Sequence, residues 1–153
     1  MRLSKNAGPG STLGGIEWGT ATDGARIYVA ITNNNHVSYQ LQPNGPTIDW
    51  GSWAALDVRD GHIVWQIADP TPGATDMGSV STANGVVYAG SFTTGILYGL
   101  HALTGGVLWQ FNSGGSVIDS PSIVNGMLFW GSGYLHIKPG TGNNKVFAFG
   151  LPN

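Results

Sequence analysis

Two stretches of this sequence repeat each other closely enough to constrain everything around them. Leu56-Asp-Val-Arg-Asp-Gly-His-Ile-Val-Trp65-Gln-Ile aligns position for position with Leu100-His-Ala-Leu-Thr-Gly-Gly-Val-Leu-Trp109-Gln-Phe, and the two tryptophans stand 44 positions apart. A period of that length is the period of a four-stranded propeller blade.

The remainder of each unit repeats too. Thr22-Asp23-Gly24, Thr82-Ala-Asn84-Gly85 and Ile123-Val-Asn125-Gly126 each precede an apolar strand that carries Tyr28, Tyr88 or Phe129. An Asp-Gly or Asn-Gly pair supplies the positive φ angles of a two-residue hairpin turn. A further strand follows in Trp53-Ala-Ala-Leu-Asp57, Leu97-Tyr-Gly-Leu-His101 and Val146-Phe-Ala-Phe-Gly150. These spacings predict strands at about 16–21, 27–32, 53–58 and 62–68, then 78–82, 86–91, 96–102 and 107–111, then 120–124, 127–131 and 145–150. The fold class expected is all-β, a single partial propeller domain of three antiparallel blades (about 15–69, 76–112 and 119–151). The first two have four strands, and the last lacks its outer strand.

Blade one is longer than the repeat requires, and the excess falls in a loop over 33–52. No segment sustains a helical period. Three blades cannot close a ring of the usual roughly 4 to 8, so two sheet faces are expected to stay open and to promote association. The partners expected are other copies of the chain or missing blades. Residues 1–7 are a candidate for the absent outer strand.

Composition narrows the function classes. Only 9% of the 153 residues are charged and the net charge is −2, which leaves no basic stripe for a nucleic-acid backbone. There is no cysteine, so disulfide and thiolate chemistry are excluded. No apolar run is long enough to span a membrane, and residues 1–14 lack the apolar core of a signal peptide.

The chemistry-bearing residues are few. The loop from Asn33 through His36 to Asp49 offers oxygens suited to a hard cation, but a single carboxylate is a thin supply, and it reads as an ordinary polar loop. The histidines at 36, 62, 101 and 136 form no ligand pair in sequence, so no metal is assigned. No Gly-x-Ser-x-Gly elbow or phosphate-binding Gly-Lys-Ser/Thr loop is present. Asp119, before Ser120-Pro121, points either to the propeller axis or to ordinary turn chemistry, and the sequence leaves both open.

Against this background the signature Leu100-His-Ala-Leu-Thr-Gly-Gly-Val-Leu-Trp109 resembles the repeat of the pyrroloquinoline-quinone (PQQ) dehydrogenases, in which tryptophans dock neighbouring blades. The resemblance assigns that docking role to Trp65 and Trp109, with Gly61 and Gly105 at the turns. A buried indole between sheets, its N–H given to a backbone acceptor, suits the purpose. Gly14-Gly-Ile-Glu17-Trp18-Gly19 is similar to a family segment that opens a blade beside the quinone, and Gly131-Ser-Gly133-Tyr134 to a glycine-rich turn near the cofactor. The Gly-Pro-Gly leader and Asn-rich loop look most like the polyvinyl-alcohol-dehydrogenase-like branch.

The resemblance implies PQQ as cofactor, with calcium in the parent family, an alcohol substrate, and a periplasmic or secreted location. It implies Glu17, Trp18, Asp119, Gly133 and Tyr134 as cofactor neighbours. Glu17 replaces a family asparagine, exchanging an amide donor for an acceptor-only carboxylate. The alignment reaches only the family's C-terminal part, so the catalytic aspartate and main calcium ligands have no counterpart here, and no catalytic residue is assigned. Two roles follow: one wall of a quinone site in an alcohol dehydrogenase, or a non-catalytic propeller module that oligomerises and binds through its loops.

Overall fold

The computed structural model describes residues 4–150, which are all strand, turn and loop. Sheet one contains β1 (Ala21–Thr22), β2 (Arg26–Ile31), β5 (Ser52–Asp57) and β6 (Ile63–Ala68), in that spatial order. Sheet two runs β7 (Ser81–Ala83), β8 (Val86–Gly90), β9 (Ile96–His101) and β10 (Val107–Asn112). Sheet three runs β11 (Ser122–Val124), β12 (Met127–Ser132) and β13 (Lys145–Phe149). All neighbours are antiparallel, so the fold is all-β with the expected four-, four- and three-stranded units.

The hairpin tips follow from turn chemistry. Asn84-Gly85 (φ 51° and 77°) and Asn125-Gly126 (φ 50° and 75°) both adopt the left-handed conformation that such two-residue turns demand. The first blade departs from this. Asp23 N donates to Arg26 O at 3.3 Å, which shifts the tip to Gly24-Ala25, because the Asp23 carboxylate instead accepts from the Ala25 and Arg26 amides.

The innermost strands also correct the expected boundaries. Ladder pairing begins only at Ala21, Ser81 and Ser122, against predicted starts at 16, 78 and 120. The segments before them pair sideways between blades: Val80 N donates to Gly19 O at 3.2 Å and Ser79 N to Ile118 O at 3.0 Å. Near the axis, a neighbouring blade supplies the acceptor that the strand's own sheet does not.

Between sheets one and two lies a core of Tyr28, Trp53, Trp65, Val87, Tyr98 and Leu100. Between two and three it is Leu97, Val117, Leu128 and Trp130, flanked by Trp109, Phe111, Phe147 and Phe149. In both outer strands one extra residue interrupts the ladder just before the tryptophan. Val64 separates the Leu56–Ile63 and Ala55–Trp65 pairs, and Leu108 separates Leu100–Val107 from Gly99–Trp109. Such a bulge twists the strand and re-aims the next side chain.

Residues 4–7 do not serve as an outer strand. Ala7 is buried with Val29, Ile31, Ala54 and Ile63 on the outward face of sheet one, and its carbonyl accepts from Gln66 Nε2 at 2.7 Å. Residues 1–3, also part of that expectation, lie outside the described residues. The long loop is not wholly irregular, because β3 (Tyr39–Gln40) and β4 (Thr47–Ile48) pair as a small hairpin. Buried Asn33 braces the loop, exchanging hydrogen bonds with the Val37 backbone. No helix among the described residues is long and apolar enough to cross a membrane.

Candidate functional site

The end of β12, the start of β13 and the loops beside them border a cleft of about 500 Å³ in blade three. Its walls include Ser116, Asp119, Tyr134, Asn143 and Lys145. Its construction rests on Ser116, whose carbonyl accepts from Gly133 N at 2.9 Å and Tyr134 N at 3.2 Å, while its hydroxyl accepts from Thr141 N at 2.7 Å. Asn143 completes the frame: Nδ2 donates to Ser113 O, and Oδ1 accepts from the Ser132 hydroxyl at 2.8 Å. Gly133 (φ 114°) sits against the Asn143 backbone, where any side chain would collide.

Asp119 is positioned from behind. The fully buried Trp130 donates its indole N–H to Asp119 O at 3.0 Å. Gly131 opposite leaves space for the carboxyl, which burial against the wall raises above the ordinary range while its own and Gly131's backbone N–H groups pull it back.

The structure therefore brings Asp119 and Tyr134 onto one cleft, with Gly133 shaping the turn beneath. Glu17 and Trp18 are not on its walls. They are exposed at the entry of blade one, separated from Asp119 by the entry of blade two through the Gly19–Val80 and Ser79–Ile118 bonds. Partial burial raises the Glu17 carboxyl. Ser116, Asn143 and Lys145 escaped the sequence reading, because polar residues in Gly-rich loops carry no period to single them out.

The repeat tryptophans differ in setting. Trp65 is buried, donates Nε1–H to Ala102 O of blade two at 2.9 Å, and lies over Gly105, where an added Cβ would stand 2.7 Å from the ring. Trp109 is half-buried, edge-on to Phe149 at 4.9 Å. Gly61 faces only Lys5. The turn of blade one also gathers Asp57, Asp60 and His62, whose ligand atoms lie within 4.8 Å of one another; Arg59 already pairs with Asp57 at 2.8 Å.

No family model matches the chain. In sequence it is 29% identical over 176 residues to a polyvinylalcohol dehydrogenase of Sphingopyxis sp. strain 113P3, covering 93% of this chain and 26% of that protein. It is 31% identical over 156 residues to a polyvinylalcohol dehydrogenase of a Pseudomonas species, covering 85% and 22%. In fold it resembles the quinohemoprotein alcohol dehydrogenase of Comamonas testosteroni (TM-score 0.58, 20% identity, 78% of this chain and 17% of that one) and a europium-containing methanol dehydrogenase (TM-score 0.60, 19%, covering 88% and 22%). The chain is a quinoprotein-like β-propeller. It spans about a quarter of the length of the curated relatives it matches. This propeller fold is also shared with BamB from Moraxella catarrhalis (TM-score 0.54, 15% identity, 76% and 30% covered), so the fold does not by itself decide the activity.

Proposed function

We propose that this quinoprotein-like propeller forms one wall of the cofactor site of an alcohol-oxidising, polyvinyl-alcohol-dehydrogenase-like enzyme. The observation that carries this reading is the cleft at the rim of blade three, where Asp119, Tyr134 and Lys145 converge on a site edged by backbone glycines. A planar polycarboxylate quinone such as PQQ needs aromatic surface and a cation. Tyr134 and Lys145 offer these in the cleft, and the family resemblance adds the exposed indole of Trp18, at the entry of blade one, as a second aromatic face. Bound PQQ would accept a hydride from the alcohol. Calcium at that quinone is another matter: among the described residues Asp119 is the one carboxylate on the cleft walls, too few for a cation that takes 6–8 oxygens. We assign this chain no calcium ligand set there.

The outward face of sheet three supports a further blade as partner, since Val124, Phe129 and Val146 are exposed on it, Val146 by 76%. A periplasmic or exported location belongs to the same proposal and rests on the family resemblance. Titrating the chain with PQQ while following tryptophan fluorescence tests the wall. Saturable quenching that Lys145→Ala weakens and Trp18→Phe diminishes is expected; an unchanged spectrum would remove the cofactor reading.

A further inference from the structure

Between blades one and two, away from the cleft, two aspartates are buried together. Asp69 is 1% exposed and Asp76 is fully buried, and both Asp76 carboxyl oxygens and Asp69 Oδ2 have no hydrogen-bond partner among the described residues. Ser91 from blade two is also fully buried, beside Asp76, and its hydroxyl is likewise unpartnered. An ionised carboxylate left dry and unpaired costs several kcal/mol or more, so the arrangement calls for a positive counterpart.

The backbone holds these groups in place from both blades. Asp69 N donates to Gly51 O at 3.1 Å and Trp50 Nε1 to Asp69 O at 3.0 Å. On the other side, Phe92 N donates to Thr75 O at 3.1 Å and Thr75 N to Thr93 Oγ1 at 3.0 Å. A side chain at position 51 would collide with the Asp76 carboxyl, so Gly51 keeps its space clear. Exposed Pro70, Pro72 and Gly73 place the pair one loop beneath solvent.

We propose that Asp69, Asp76 and Ser91 form a structural site for a hard divalent cation of the calcium class, clamping blade one to blade two. The three free carboxylate oxygens and the hydroxyl are hard donors, and two carboxylates neutralise a divalent ion. The site is distinct from the blade-one turn cluster of Asp57, Asp60 and His62, which is open to water and engaged by Arg59.

The test uses the full chain stripped with chelator. Tyr98 faces both aspartates and its ring lies 5.1 Å from Trp53, so terbium bound here is close to two aromatic sensitisers. We expect sensitised terbium emission that calcium displaces, a melting temperature several degrees higher with calcium, and equimolar calcium by elemental analysis after dialysis. Asp76→Asn should lose the emission and the calcium shift, whereas Asp60→Asn should keep both. Should Asp76→Asn fail to fold, the calcium content and melting shift of the parent chain decide. A parent chain that binds no calcium, or an emission lost in Asp60→Asn and kept in Asp76→Asn, would overturn the site.

Discussion

Single side chains carry much of the inter-blade adhesion. Trp65 fills the first seam and hydrogen-bonds across it, so Trp65→Ala removes both packing and an acceptor's partner. The expected cost is about 3–5 kcal/mol, read as a lower denaturant midpoint at unchanged slope. Half-buried Trp109 should cost less when truncated. The repeat alone makes the two look equivalent, because it cannot register that Trp109 meets Phe149 where Trp65 meets a closed turn. At the first hairpin, burial raises the Asp23 carboxyl. Hydrogen bonds from the Tyr28 hydroxyl, the Ala25 and Arg26 amides and the Arg26 guanidinium outweigh it and hold the group at about 2. A depressed carboxylate contributes stability above its ordinary value of 3.8 that is lost as pH falls through about 2. Acid unfolding followed by circular dichroism should therefore be less steep in Asp23→Asn across that window.

Strands and turns were legible wherever local chemistry decides them. The Asn84-Gly85 and Asn125-Gly126 turns and the second and third strands of each blade follow from residue type and alternation. The innermost strands were read too long, because near the axis their backbone groups pair with a neighbouring blade. The bulges at Val64 and Leu108 were not legible either, since they exist only in the register between two strands. Turn geometry gives an element-level prediction. Asn125→Val places a β-branched residue at φ 50°, and should destabilise blade three by about 1–2 kcal/mol, whereas Asn125→Gly should be tolerated. Thermal melts of the two variants separate these outcomes.

For the molecule as a whole, the repeat alone makes the blade number and the family likeness legible. The cleft was half visible. Asp119 and Tyr134 were named from motifs, while Ser116 and Asn143, which hold the walls together, became recognisable only when two loops met. The Asp69–Asp76 pair was invisible for the same reason, its members contributing to a seam between blades. Under the proposed function the blade-three cleft at Asp119, Tyr134 and Lys145 forms one wall of a cofactor site. Equilibrium dialysis of the chain against PQQ, with retained quinone read by absorbance, tests this most directly. Saturable retention that approaches one quinone per chain, and that Tyr134→Ala weakens, is the predicted result. Free equilibration of quinone across the membrane at every protein concentration would contradict the assignment of a cofactor wall to this propeller.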